Sequence, residues 1–444
     1  MRRTAPTLPG IPPSAKRRLT TAVAVLGVAA LLAGCSGGGG TDSPAAEGYT
    51  PPAKDLKAEI TYGVWDQTQV EAIEANIAGF NEEYPDIKVN VNVTPWGDYW
   101  TKLQTQGSSS TLPDLFWMNG PNFQLYASNG MFEPITAPIE SGAIDPANYP
   151  KALVDLYTFD GVNYGVPKDF DTIAVWYNKA LFAKAGVEEP KPGWSWDDFH
   201  EKAKAISDKL SGEGIYGVAA TAEGQAGYYD TILQAGGEVI SADGTKTGYG
   251  TPEAAEGIKF WADLIADGSS PDIKQLSDTP GLTWFTSGKV AMYQSGSWQR
   301  NAVVGSDVKD DVQVVEMPTG DKQATIIHGI SNVVSAKSKN KQAAQALQVY
   351  LASEKAQSQQ GEMGAVIPAF NGTQKAFVDS IPEYNLQVFL DAIDYSHPYP
   401  VSQNTSAWAG VEVELILKAL SGEMSVDAVN KELATKVQAL LDAE

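Results

Sequence analysis

The first alternation of apolar and polar residues in this chain covers residues 60–64. Hydrophobic side chains at every second position are typical of a strand that buries one face. Apolar residues then recur at helical spacing over 70–80, and a second alternation follows at 87–93. The order strand–helix–strand predicts a βαβ unit with a parallel sheet and a right-handed crossover.

Similar patterns continue and predict the α/β fold class, with helices packed over mostly parallel sheets. Short apolar runs predict further strands at residues 115–118, 173–177, 289–293 and 330–334. Helical spacing predicts helices at residues 98–106, 196–210, 341–360, 408–420 and 425–441. Ser195 is expected to cap the helix that follows it, and Pro252 after Thr251 is expected to open another, since proline suits the first helical position.

The chain begins with a pattern typical of an exported protein. Basic residues at 16–18 precede an apolar run at 22–32, which is well short of the ~20 residues of a membrane-spanning helix. The only cysteine, Cys35, follows Leu-Ala-Gly, and this stretch resembles the lipobox of bacterial lipoproteins. The resemblance implies a signal peptide at 1–34 and a lipid on Cys35, which would anchor the protein outside the cell membrane. The alternative is an ordinary signal peptide that contains a cysteine.

Composition narrows the classes of function. Residues 35–56 are rich in Gly, Ser, Pro and Ala and predict a flexible tether, and the remaining length suggests two domains. Removing residues 1–34 takes away five basic and no acidic residues, so the formal charge falls from −22 to −27. Such acidity argues against nucleic-acid binding. The three histidines are far apart, so no metal site is expected, and no cofactor is expected either.

Five stretches together resemble the extracellular sugar-binding proteins of ABC importers, the maltose-binding-protein-like family. They lie at residues 60–93, 112–119, 164–182, 285–298 and 329–332. The resemblance implies a two-lobed fold with a hinge and a ligand cleft, and no catalytic residues. It places one lobe at about 57–165 plus 326–366 and the other at 172–320 plus 371–444. The implied partners are a mono- or oligosaccharide and the ABC permease, with the protein itself a monomer.

Aromatic residues beside polar ones at strand ends are candidates for the cleft, because a sugar offers apolar C–H faces and many hydroxyls. Trp65 and Asp66 follow the first strand. Trp117 and Asn119 follow another, and the resemblance implies that they contact ligand. Burial in the core is the alternative for both tryptophans, and the role of Trp96 and Tyr99, in cleft wall or helix packing, stays open.

Further candidates come from the resemblance, and all are expected to contact ligand. Asp171, with Asp169 beside it, occupies the place of the family's ligand-binding acid, although solvated hinge charges are the alternative. The others are Tyr228 or Tyr229, Trp298 and Trp408 as stacking rings, and His328 where the chain returns to the first lobe. Arg300, two residues after Trp298, is a candidate to clamp a pair of hydroxyls or an acid, with pairing to a surface carboxylate as the alternative. Trp298 is the strongest of these, since Gly296 lets the backbone approach a ligand. Whether Trp284 lies in the wall or in the core stays open.

Two other functions compete with sugar capture for transport. A secreted glycoside hydrolase also has an aromatic cleft, and the 54 acidic residues leave many carboxylate pairs available. A binding protein for a non-sugar solute is the third hypothesis. Release of product from an oligosaccharide would favour the hydrolase, whereas the 11 tryptophans favour a sugar ligand.

Overall fold

The computed structural model describes residues 49–444. The expected signal peptide and the lipid attachment at Cys35 lie outside the described residues, as does most of the expected tether. Within residues 49–444, no helix is both long enough and apolar enough to cross a membrane.

The described part of the chain contains fourteen strands, several of them only two or three residues long. They are β1 Ala58–Val64, β2 Ile87–Val93, β3 Leu115–Asn119, β4 Thr158–Phe159, β5 Val162–Asn163, β6 Asp169–Phe170, β7 Ile173–Asn178, β8 Tyr216–Val218, β9 Val290–Gly296, β10 Val312–Val315, β11 Thr325–Ile327, β12 Ile330–Val334, β13 Ile367–Pro368 and β14 Ser396–Pro398.

Eighteen α-helices lie between these strands in residues 49–444. They are α1 Val70–Glu83, α2 Trp96–Ser108, α3 Gly120–Ser128, α4 Thr136–Glu140, α5 Lys151–Asp155, α6 Lys179–Ala185, α7 Trp196–Leu210, α8 Tyr229–Gln234, α9 Pro252–Ala266, α10 Ile273–Asp278, α11 Gly281–Thr286, α12 Arg300–Val304, α13 Lys341–Leu351, α14 Glu354–Glu362, α15 Lys375–Asp379, α16 Gln387–Asp391, α17 Thr405–Leu420 and α18 Val426–Leu441. A π-turn at Gly224–Tyr228 precedes α8.

The first sheet has the strand order β12-β3-β1-β2. β1 runs parallel to both β2 and β3, and β12 is antiparallel to β3. The alternation in β1 predicts its buried face correctly, because Ile60, Tyr62 and Val64 are almost completely buried. The predicted βαβ unit is therefore confirmed as β1, α1 and β2.

The second sheet has the order β10-β7-β9-β8 and differs from the mostly parallel sheet expected. β7 is antiparallel to both β9 and β10, and only β8 with β9 is parallel. The expected crossover pattern does not hold here because β9 follows β8 after more than seventy residues and pairs on both sides.

Three extended segments lie side by side between the two sheets. β6 pairs with β13, while single bridges join Pro167 to Ser331 and Asp171 to His328. These three segments connect the part of the chain around one sheet with the part around the other. Asp169 and Asp171 lie on the central segment.

Local signals explain several helix starts, including one that the hydrophobic pattern missed. Ser195 caps α7 in a capping box with Asp198, and Thr251 caps α9, as predicted. The single helix predicted over 341–360 is wrong, because the chain breaks after α13 at an extended Ser353. Its hydroxyl accepts a hydrogen bond from the Ala356 backbone at 3.3 Å and starts α14.

Candidate functional site

Aromatic rings cluster where β1 ends. Trp65 is half-buried, and its ring centroid lies 5.3 Å from that of Trp96 and 4.9 Å from that of Trp117. Trp96 opens α2 and is 53% exposed, whereas Tyr99 is buried and donates a hydrogen bond from its hydroxyl to the Trp117 carbonyl at 2.8 Å. Trp65 and Trp96 therefore present the accessible ring surface of this cluster, which suits stacking against a sugar.

Asp66 links the end of β1 to the crossing segments. Its carboxylate caps the following turn, accepting a hydrogen bond from the Thr68 backbone at 2.8 Å and another from the Gln69 amide at 2.9 Å. The Gln69 carbonyl oxygen in turn accepts a hydrogen bond from the Lys168 ammonium at 3.1 Å. Asp66 is thus linked through Gln69 to the Lys168–Asp169 pair. No cation pairs with Asp66 itself among residues 49–444.

Trp117 is fully buried on β3, and its polar atom and one ring face are already occupied. Its indole N–H donates to the Tyr62 hydroxyl at 2.8 Å, and Tyr62 donates to the Asn332 side chain at 2.6 Å. The Lys168 ammonium lies 4.5 Å from the ring centroid, a cation–π contact. The structure therefore places Trp117 in the core beneath the hinge rather than on a surface open to ligand.

Asn119 is also buried and has a structural role in this arrangement. Its side-chain oxygen accepts hydrogen bonds from the backbone and the side chain of Asn122, at 3.2 Å and 2.9 Å, and so caps α3. Asn119 ends β3 and starts the following helix, which accounts for an asparagine here without a ligand.

Asp169 and Asp171 lie where the chain crosses between the sheets. Asp169 is buried, receives the Lys168 ammonium at 2.5 Å and accepts a hydrogen bond from the Ile330 backbone at 2.8 Å. Asp171 accepts a hydrogen bond from the Gln225 amide at 2.6 Å. Burial, together with the nearby Asp169, raises the pKa of Asp171 well above its usual range.

Glu223 precedes the π-turn and is a candidate that the sequence did not reveal. Its side chain is exposed, yet burial by the surrounding protein raises the pKa of its carboxyl. The Glu223 carboxyl thus touches solvent while protein surrounds it on its other sides. Within residues 49–444, the Glu223 carboxylate has no hydrogen-bond or ionic partner. Unpaired and solvent-touching, it is free to accept hydrogen bonds from a ligand.

We call Asp66, Lys168, Asp169, Asp171 and Glu223 the acidic belt. Gln69 joins Asp66 to the Lys168–Asp169 pair, and Gln225 joins Asp171 to the segment that carries Glu223. The belt therefore runs from the end of β1, across the hinge, to the π-turn beside the second sheet.

Trp298 is half-buried immediately after β9, and its ring lies against Gly296. A Cβ at Gly296 would come within 1.7 Å of the Trp298 ring, so this approach requires glycine. Asn301, three residues on, donates a hydrogen bond to the Thr68 carbonyl at 3.5 Å. Since Thr68 is three residues from Trp65, the structure brings the segments that carry Trp65 and Trp298 together.

Arg300 is engaged by protein groups rather than free to clamp a ligand. Its guanidinium donates to the side chains of Asn301 at 2.8 Å and Ser380 at 3.2 Å. It also packs over Gly364, where a Cβ would lie 2.3 Å from the guanidinium carbon. The arginine therefore joins α12 to the end of α14.

His328 is buried at the hinge. Its Nε2 accepts a hydrogen bond from the Gly120 backbone N–H at 3.1 Å, so the ring is neutral with its other nitrogen protonated. Burial lowers the pKa of His328 to about 4. Its ring also contacts Tyr399 with centroids 5.1 Å apart, so His328 packs against the segment that follows β14.

Tyr228 and Tyr229 are both buried, contrary to the expectation of one stacking ring on the cleft wall. The Tyr229 hydroxyl donates to Glu412 at 2.5 Å, and Tyr249 donates to the other oxygen of the same carboxyl at 2.6 Å. Tyr228 packs edge-on against Tyr229 with ring centroids 5.0 Å apart. Both tyrosines therefore belong to a buried cluster around Glu412 of α17.

Trp408 and Trp284 are placed by packing. Trp408 is fully buried in α17 and donates its indole N–H to Ser402 at 2.8 Å, so it lies in the core instead of on an open wall. Trp284 in α11 packs edge-on against Tyr216 with centroids 5.8 Å apart. Tyr216 pairs with Val290 at the start of β9, the end opposite Trp298.

Comparison with known proteins agrees with this fold. The model of the family described as bacterial extracellular solute-binding protein matches residues 65–358. A putative binding protein of Brucella abortus (strain 2308) is 25% identical over 369 residues, covering 82% of this chain and 88% of the relative. A diacetylchitobiose binding protein of Streptomyces coelicolor is 26% identical over 338 residues, covering 74% of this chain and 76% of the relative.

A solved structure extends the similarity to the whole described fold. The ABC substrate-binding protein of Listeria monocytogenes in complex with cycloalternan superposes with a TM-score of 0.82 at 26% identity, covering 87% of this chain and all of that one. The two-lobed architecture expected from the resemblance is therefore confirmed. Since the family model matches well over half of the sequence, this chain belongs to the bacterial extracellular solute-binding proteins.

Proposed function

We propose that this protein captures an oligosaccharide between its two lobes and delivers it to an ABC permease, without chemical conversion. The observation that carries the proposal is that the segments of two partly accessible tryptophans meet, while Gln225 links the segment of an unpaired carboxylate, Glu223, to the central crossing segment. Trp65 and Trp298 follow strands of different sheets, and the contact between Asn301 and Thr68 joins their segments. Names of relatives support the choice of ligand, since they include a diacetylchitobiose binding protein and a complex with cycloalternan.

The proposed contacts divide into stacking groups and hydrogen-bonding groups. Trp65 and Trp298 would stack on sugar faces, while Asp66 and Glu223 would accept hydrogen bonds from hydroxyls. Asp171 would contribute through the edge left free by Gln225. We assign the lobes to 57–165 plus 326–366 and 172–320 plus 371–444, with the crossing segments as the hinge about which ligand would close them.

A thermal-shift screen of residues 49–444 against neutral oligosaccharides tests this proposal. A specific sugar at 100 times its dissociation constant should add about 2.7 kcal/mol of stability. Trp298→Ala should remove that response while leaving the unliganded protein folded. Trp284→Ala is the matched control, because this half-buried tryptophan lies near the start of β9, roughly 20 Å along the strand from Trp298. No response to any oligosaccharide, or release of product from one, would contradict the proposal.

We also propose that Cys35 carries a lipid that holds a monomeric receptor at the outer face of the cell membrane. The lipobox resemblance supports the anchor, and the membership of an extracellular family supports the location. In a detergent phase-partition experiment, the native chain should enter the detergent phase and Cys35→Ala should not. Equal partitioning of both would refute the anchor, and a dimer in size-exclusion chromatography would refute the monomer.

A further inference from the structure

The two lobes meet over carboxylates that have almost no basic partner, and this limits the charge of the ligand. We propose that the cleft rejects anionic glycans, such as uronates, and accepts uncharged and positively charged ones. The inference rests on the proposed function, because it concerns the chemical class of sugar that the same cleft takes.

The first step is the imbalance of charge in the acidic belt. It holds four carboxyl groups and a single ammonium, that of Lys168. Asp169 already neutralises Lys168 at 2.5 Å, and Gln69 and the Trp117 ring occupy the other sides of the ammonium. Lys168 therefore has little capacity left to bind a negative ligand group.

The second step concerns the two other basic side chains that the sequence had marked as ligand contacts, Arg300 and His328. The Arg300 guanidinium is bound to Asn301 and Ser380 and lies against Gly364. His328 accepts a hydrogen bond through Nε2 from a backbone N–H, which requires the neutral ring. His328 therefore adds no positive charge, and Arg300 keeps its charge but directs its two terminal nitrogens at Asn301 and Ser380 rather than at a ligand.

The third step concerns the carboxyls themselves. Gln69 and Gln225 satisfy Asp66 and Asp171 with neutral amides, and Glu223 has no partner at all among the described residues. Burial raises the pKa of Glu223 and of Asp171, and for Asp171 burial and the nearby Asp169 outweigh the opposite effects of Gln225 and Lys168. Even with Asp171 protonated, three carboxylates face one ammonium. An anionic sugar would add a like charge there and lose its own hydration, whereas an ammonium group would relieve the repulsion.

The test compares the affinities of negatively and positively charged derivatives of the same neutral sugar. Maltose, lactose and diacetylchitobiose are each measured by titration calorimetry against residues 49–444, together with derivatives carrying a carboxylate or an amine at C6 of the non-reducing ring. For a sugar that binds, the carboxylate should bind at least ~30-fold more weakly than the amine, as expected for a like charge placed in a closed polar site. The amine form controls for the altered shape at C6.

Equal affinity of the carboxylate and amine forms would overturn the inference and leave the proposed function intact. Absence of binding by every neutral oligosaccharide of the wider screen would instead overturn the proposed function. Glu223→Gln should reduce the ratio between the affinities of the amine and the carboxylate derivatives at least ~3-fold. Glu256→Gln removes the same charge from the exposed face of α9. It should leave the affinity ratio unchanged, because solvent and salt screen the charge of Glu256. An identical effect of both variants would refute the role of Glu223.

Discussion

Glu412 is a fully buried carboxyl with only tyrosine hydroxyls around its oxygens, and it should make the protein less stable as the pH rises. Tyr229 and Tyr249 donate to its two oxygens, and no basic side chain pairs with it among residues 49–444. Burial raises the pKa of Glu412 from 4.5 to about 8. In the unfolded chain the same carboxyl loses its proton near its ordinary pKa.

The sign and the size follow from this difference. Between about pH 4.5 and 8 the folded state keeps a proton that the unfolded state releases, so the free energy of unfolding falls as the pH rises. The contribution is fully present below the unfolded pKa and is lost by the time the pH passes the folded pKa. A difference between 4.5 and about 8 corresponds to an upper limit of about 4–5 kcal/mol.

Glu412→Gln isolates this contribution, because glutamine keeps the shape and does not titrate. Urea unfolding of both proteins at intervals from pH 4.5 to 8.5 should show the variant gaining several kcal/mol relative to the native chain as the pH rises. Glu414→Gln on the same helix is the control, since Glu414 is exposed and pairs with Lys418 at 2.8 Å. A constant difference between Glu412→Gln and the native protein over this range would refute the reasoning.

Two further predictions concern the hinge and Arg300. Since burial lowers the pKa of His328 from 6.5 to about 4, only the unfolded state takes up this proton in that window, so the contribution of His328 to the free energy of unfolding should fall by up to about 3 kcal/mol as the pH falls, opposite in sign to the contribution of Glu412. In urea unfolding, His328→Gln should therefore gain about 2–3 kcal/mol relative to the native protein between pH 7 and pH 4.5, and a constant difference between the two proteins would contradict the assignment. Gly364→Ala should cost about 2–3 kcal/mol in the same assay, because φ is +66° and the new Cβ would meet the Arg300 guanidinium. Gly422→Ala has a similar φ of +72° with nothing within 4 Å, so it should cost only about 1 kcal/mol, and equal costs would exclude the steric contact.

Local sequence predicted the elements well wherever the signal lay within a few residues. Each of these signals covers only a few consecutive residues: the alternation in β1, the cap at Ser195 and the proline that opens α9. The prediction failed where a local signal was overlooked, at the Ser353 cap, and where pairing depends on distant strands, as in the second sheet.

The candidate site divides in the same way. The sequence singled out tryptophans at strand ends as candidates for stacking on sugar, but it could not tell an accessible ring from a buried one. Trp408 and Tyr229 are aromatic candidates for stacking just as Trp298 is, yet both lie in the core. The burial of Tyr229 depends on a hydrogen bond to Glu412, which is 183 positions away.

By itself, the sequence determined the order of strands and helices, the acidic character and the resemblance to a two-lobed receptor, because these reside in local periodicity and in motifs of a few residues. Only the tertiary structure decided which polar groups meet. Gln69 reaches Lys168 across 99 positions, and Gln225 reaches Asp171 across 54. The residues around a single glutamine do not predict which distant side chain it will contact. The acidic belt, and with it the proposed selectivity against anionic sugars, therefore follows from the chain crossing between the sheets more than once and bringing distant side chains together.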